Sequence, residues 1–140
     1  MNREDITFVI RLAPVTKKNS QRIVHIGAKC PVCKRGNKVV PLPSKAYETY
    51  EDTAGWLIRG DLRNRKIKTP VNVKCLYYMK TKTDVDLANL LEATNDMLVK
   101  YGVLADDKSK IVVSHDGSRV LYDPINPRTE VTISFYDSSP

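Results

Sequence analysis

At 140 residues the chain is long enough for one domain with a real core, since folding at this size hides about 68–70% of the unfolded surface. Its formal net charge of +7 suits a polyanionic partner. No run approaches the ~20 apolar residues that span a bilayer, MNREDITF lacks a signal peptide's apolar core, and an odd count of three cysteines fits a reducing compartment better than a disulfide scaffold. Membrane and disulfide-rich classes are thereby set aside, and a cytosolic setting is expected.

Residues 6–12, ITFVIRL, are rich in β-branched side chains and predict a first strand ended by Pro14. TKKNSQ is then a polar loop. Residues 22–26 and 38–42 are short β-like runs that predict a hairpin, with an elaborated Cys-x-x-Cys tip over 27–38. Ser44 reads as the N-cap of a helix whose stripe is Tyr47, Tyr50, Ala54, Leu57 and Ile58, and Gly60 reads as its stop. After a basic linker over 66–70, residues 71–79 predict a buried strand. Asp86 can cap a second helix with the stripe Leu87, Leu90, Leu91, Thr94, Leu98 and Tyr101, and Gly102 suits its C-terminus. Residues 111–114 predict a strand, Asp116-Gly117 a tight turn, 120–122 a short return and 130–136 a last strand. The order βββαβαβββ departs from strict βα alternation. It predicts a single α+β domain over 1–140 with two main helices and a mixed, mostly antiparallel sheet.

Charge is unevenly spread: the first 70 residues hold 15 Lys/Arg against 6 Asp/Glu, the last 70 hold 8 against 10. Residues 17–45 carry eight basic side chains and no acid, a footprint for phosphates or else a solvated basic face. By contrast, the run TDVDLANLLEATNDMLVKYGVLADDKSK packs six carboxylates between Thr83 and Lys110. Asp84 and Asp86, two apart at the end of a predicted strand, share one face and repel unless a cation lies between them. Asn89, Glu92 and Asp96 lie within about 60° of one another on the helix, as a metal-facing or merely solvated stripe. Asp106-Asp107 follow the breaker Gly102. Such acids suit Mg²⁺, a hard ion that keeps several waters and is completed by substrate phosphates. On a basic protein they suggest phosphoryl chemistry on nucleic acid.

The pattern D-x-D-L-x-N-L-L-E-A-x-x-D-x-L-x-x-x-G-x-x-x-D-D resembles the central motif of RusA-type crossover junction endodeoxyribonucleases, Mg²⁺-dependent dimeric resolvases of Holliday junctions often encoded by phages and prophages. APVTKKNSQR is similar to that family's Pro/Asn loop after the first strand, and PSKAYETYE to the opening of its first helix. The likeness covers roughly residues 8–115. The family pattern is an Asp-x-Asp-Asn pair, a Lys three residues after the Asn, an Asp four further on, then Gly and a double Asp. Aligned without a gap on Asn89, the first Asp is Asp86, the second falls on Ala88 and the Lys on Glu92. Alternatively Asp84 and Asp86 are the pair, with two residues inserted before Asn89.

The resemblance implies Asp84, Asp86 and Asp107 as catalytic Mg²⁺ ligands, with Mn²⁺ as a substitute ion. Asp96 and Asp106 would stand near them, Glu92 in place of a lost carboxylate, and Lys108 or Lys18 in place of the family lysine. Lys17, Lys18, Asn19, Arg22, Lys34, Arg35 and Lys45 would contact DNA. Branched DNA, a homodimer and a bacterial cytoplasmic setting follow from the same likeness. Two other readings stay open: a non-catalytic basic nucleic-acid-binding module, and a metal-dependent nuclease for other branched DNA or RNA. Cys30 and Cys33, spaced Cys-x-x-Cys, supply half of a structural Zn²⁺ site. His25 is the candidate third ligand. Cys75 reads better as a buried small hydrophobe than as a ligand, and His115 is the remaining candidate.

Overall fold

The computed structural model describes residues 4–16, 21–29, 36–43, 45–58 and 60–136, with 21–29 and 36–43 described by their backbone. Alternation builds the main sheet. In β1 (Ile6–Ile10) the side chains of Ile6, Phe8 and Ile10 are buried; in β4 (Val71–Met79) those of Val71, Val73, Cys75 and Tyr77; in β7 (Arg128–Phe135) those of Thr129, Val131 and Ile133. A period of two puts each set on one face. Antiparallel register then lines them up across strands, Phe8 with Val131 with Cys75 and Ile6 with Ile133 with Val73. The intervening residues of β4, from Asn72 to Tyr78, are half-buried, so the sheet has one dry face.

Two helices cover that face. Helix α1 (Lys45–Leu57) contributes Tyr47, Ala54 and Ile58 just beyond its end, and α2 (Leu87–Lys100) contributes Leu90, Ala93, Thr94, Met97 and Leu98. Sheet and helices thus share one apolar cluster in a two-layer α+β domain. The expected stripe of α1 fails at Leu57, which is 42% exposed, because the helix ends there and the chain turns away. A separate antiparallel ladder joins β2 (Gln21–Lys29) to β3 (Gly36–Pro43), with a register shift between Ile26 and Lys29. This is the expected hairpin. The Cys30 and Cys33 tip and Ser44 lie outside the described residues.

The order β1-β7-β4 continues on the free edge of β4 with two short strands, β5 (Val112–Ser114) and β6 (Arg119–Tyr122). The expected tight turn at Asp116-Gly117 forms, the Ser118 amide donating to His115 O at 3.1 Å, but the return does not close a hairpin. Both strands run parallel to β4, β5 beside its start and β6 beside its end. Side chains of the sheet explain why. Asn72 Oδ1 accepts from the Asp116 amide (2.7 Å) and Ser114 Oγ (2.6 Å), while Ser118 Oγ accepts the Cys75 amide (3.0 Å). Gly117, at φ 87, kinks the chain between the two strands without reversing it.

Register also fixes where the loops emerge. Ile10 pairs with Thr129, Tyr78 with Arg128 and Met79 with Tyr122. Residues 11–16, 80–86 and 123–127 therefore leave one end of the sheet together.

Candidate active site

The acidic loop after β4 stands at that end. Asp84 is exposed and lines two adjoining clefts, one shared with Pro14, Val15 and Thr16 after β1, the other with Lys82, Val120 and Tyr122 of the β6 edge. Lys82 lies 5.0 Å from the Tyr122 ring centroid, a cation–π contact beside the acid. Asp86 is the N-cap of α2, as expected: its Oδ1 accepts the Ala88 amide at 2.9 Å. One carboxylate oxygen is thereby occupied, at the helix end where a negative charge is stabilised by the dipole.

Two of the remaining acids meet elsewhere. Along α2 the rise of 1.5 Å per residue carries the chain about 15 Å from Asp86 to Asp96. There Asp96 and Asp107 line a cleft of about 440 Å³ with Glu51, Val99 and Lys100. A water takes up ~30 Å³ of liquid volume, so a hydrated ion and phosphate oxygens fit. Glu51, only 13% exposed, ion-pairs with Lys100 through Oε1 and accepts the Tyr47 hydroxyl through Oε2 at 3.1 Å. Burial, with the Glu51 carboxylate beside it, pushes the Tyr47 hydroxyl up, so it stays a donor. The Glu51 bond likewise raises Lys100 and keeps it charged.

Asp107 reaches this cleft because α2 ends in a Schellman turn. Gly102, at φ 75, donates to Val99 O (3.1 Å), and Val103 donates to Leu98 O (2.8 Å). The chain then doubles back along the helix. Asp106 Oδ1 accepts the Asp107 amide at 2.7 Å, which, with Lys108 next, holds the Asp106 carboxyl below the usual carboxylate range. Lys108 is 3.7 Å from Asp106 and largely exposed. Asp84 and Asp107 thus border different clefts, and Glu92 is exposed on α2. Glu51 and Lys100 carried no site signal in the sequence, where they stand 49 residues apart. Lys82 and Tyr122 carry no such signal either.

Among the described residues no three His, Cys, Asp or Glu side chains group closely enough to form a ready-made metal cage. The donor set nonetheless suits a hard ion, because every candidate is a carboxylate and Mg²⁺ needs only one or two from the protein when waters and phosphates complete it. Among the described residues zinc gains no support. Cys75 is fully buried on β4, and burial pushes its thiol up to about 12, far from a thiolate. His115 Nδ1 donates to Val73 O (2.8 Å) and Nε2 takes the Asn95 amide (3.1 Å), so both ring nitrogens are engaged. Lys17, Lys18, Asn19, Cys30, Cys33, Lys34 and Arg35 lie outside the described residues, and Arg22 and His25 are placed by backbone alone on β2. Lys45 is exposed at the first position of α1.

Comparison with protein families matches residues 13–134 to the family described as Endodeoxyribonuclease RusA. No curated protein matches the chain. No described helix is long and apolar enough to cross a membrane.

Proposed function

This chain belongs to the RusA endodeoxyribonuclease family, and from that membership we propose a structure-selective, Mg²⁺-dependent endonuclease that resolves four-way DNA junctions as a homodimer. The supporting observation is Asp84 at the meeting of two clefts, where the loops after β1 and β4 and the end of β6 come together on a chain of net charge +7. Asp84 and Asp86 at one end of α2, and Asp107 with Asp96 at the other, would hold the ions. Bound Mg²⁺ lowers the pKa of a water and neutralises charge on a phosphate.

Hydrolysis adds the elements of water across one P–O bond, leaving a phosphate on one strand end and a hydroxyl on the other. No covalent intermediate with the protein is required. Lys45, with Lys17, Lys18, Asn19, Arg22, Lys34 and Arg35, would hold backbone phosphates and so set the position of the junction without reading its sequence. Symmetric cuts in two strands call for two sites related by a two-fold axis, hence the homodimer.

The test is a labelled synthetic four-way junction beside a matched linear duplex, each with Mg²⁺ or EDTA. Paired nicks in the junction alone, dependent on Mg²⁺, are expected. Asp86→Asn and Asp107→Asn should keep junction binding and lose cleavage; undiminished cutting by both would end this assignment of the carboxylates. Binding with no cutting under any divalent ion would favour a non-catalytic module, and equal cutting of both substrates a general nuclease.

A further inference from the structure

The connection from α1 to β4 carries a surface that the carboxylate clefts do not explain. Trp56 is the sole tryptophan of the chain, and it is 82% exposed, although tryptophan is highly buried on average. Between Trp56 and Lys68 the sequence has five basic residues and one acid. Four of the five, Arg63, Arg65, Lys66 and Lys68, make no ion pair among the described residues. Arg63 lies 5.9 Å from the Trp56 ring centroid and 5.3 Å from that of Tyr101, with Lys100 5.6 Å from the same Tyr101 ring. The indole, the guanidinium and the phenol thus form one run of planar groups ending at Lys100, which already lines the cleft of Asp96 and Asp107.

The turn that displays these cations is strained and pinned. Asn64 (φ 65) and Lys66 (φ 50) are the non-glycine residues at positive φ among those described. Asparagine tolerates this region; a long basic side chain seldom occupies it. Four backbone bonds hold the turn and its exit in place: Asn64 N to Tyr101 O (3.2 Å), Lys66 N to Gly102 O (2.7 Å), Ile67 N to Val103 O (3.1 Å) and Ala105 N to Ile67 O (3.0 Å). Strain kept by the surrounding structure is a pointer to function.

We propose that Trp56 and the 63–68 turn form a second DNA contact, in which an unstacked base near the branch point lies on the indole while Arg63, Arg65, Lys66 and Lys68 hold phosphates of the same strand. An aromatic face beside a track of cations is how strands are bound without sequence preference. The ridge through Tyr101 to Lys100 leads that strand toward the Asp96 and Asp107 cleft. A second copy of this chain is disfavoured as the occupant, because it would bring four cations against their duplicates with one acid in the segment to offset them. The inference rests on the branched-DNA reading above.

The sole tryptophan gives a direct readout on the unmodified chain. A four-way junction labelled on one arm is titrated in EDTA, following label anisotropy and tryptophan emission together. Emission should fall by about half with the midpoint of the anisotropy curve. Trp56→Ala should bind roughly tenfold more weakly, a value within the range for one stacked base. Arg65→Ala with Lys68→Ala should lower the slope of log affinity against log salt by about 2. Saturated binding with unchanged emission overturns the proposal, as does wild-type affinity in Trp56→Ala with wild-type slope in the double variant. Emission that shifts with protein concentration and ignores DNA assigns the surface to a second copy and also overturns it. Quenching without cleavage in Mg²⁺ would count against the nuclease reading alone; cleavage without quenching would count against this contact alone.

Discussion

Gly102 turns the chain back so that Asp107 meets Asp96, and Gly102→Ala measures how firmly. Its φ of 75 is costly for any residue with a Cβ, by roughly 1–2 kcal/mol. A second cost comes from neighbours: an added Cβ would lie 2.8 Å from both Asn64 Cα and Asn64 N. These are backbone atoms and cannot rotate away. The 63–66 turn must move, which strains or breaks Asn64 N to Tyr101 O and Lys66 N to Gly102 O, at about 1 kcal/mol each. The sum is about 3–4 kcal/mol, and for 140 residues at ~2.1 cal/mol/K each it lowers the melting temperature by about 10–14 °C. Urea unfolding of Gly102→Ala beside Gly60→Ala is the assay. Gly60 has nothing within 4 Å of its built Cβ and no positive φ, so that variant should stay within about 0.5 kcal/mol of the parent. If Gly102→Ala also stays within 1 kcal/mol, the close approach of the basic turn to the end of α2 is not what positions Asp107, and the reasoning fails.

Other outcomes follow from single contacts. Asp86→Ala should cost ~1 kcal/mol of stability while Asp86→Asn costs a few tenths, because asparagine also caps a helix; equal losses in urea titrations would mean the cap is unimportant. Tyr77, buried, bonds Leu90 O (3.0 Å) and Thr94 Oγ1 (2.6 Å), so Tyr77→Phe should cost about 1–2 kcal/mol, and Tyr77→Phe with Thr94→Val less than the sum of the two singles, as a double-mutant cycle would show. The Cys75 thiol, raised from 9.0 to about 12 in the folded chain, keeps its proton where the unfolded chain loses it. Its share of stability is therefore full below pH 9 and declines by ~1.4 kcal/mol per unit as pH rises toward 12; Cys75→Ala should flatten that part of the stability-against-pH curve, and an unchanged slope would refute the linkage.

Local signals made most of the fold legible. Richness in Val, Leu and Tyr places β4 at residues 71–79 to the residue, and the 3.6-residue period with the Asp86 cap and Gly102 stop places α2. Where the reading went astray, a local signal had two outcomes. Asp116-Gly117 is as good a kink as a hairpin turn, and only the long-range bonds of Asn72 and Ser118 choose between them. In α1, Leu57 has the right spacing for the core but sits where the helix ends, and Trp56 lies off the stripe.

The carboxylates show most sharply what a one-dimensional reading cannot hold. Six acids within 28 residues look like one cluster, yet fourteen of those residues are a helix, and ~1.5 Å per residue sets its ends about 20 Å apart. Asp84 and Asp86 are left at the sheet end with the loops after β1 and β4. Asp107 is carried back by the Gly102 turn to Asp96, where its neighbours are Glu51 and Lys100 from a different part of the chain. The two groups stand at opposite ends of one rigid element. A substitution that loosens the seat of α2 on the sheet, such as Tyr77→Phe, which removes the bonds to Leu90 O and Thr94 Oγ1, should therefore alter both, whereas Glu51→Gln acts on the Asp107 end alone. Comparing cleavage by these two variants, each measured at saturating junction, asks whether the two ends act on the same phosphate.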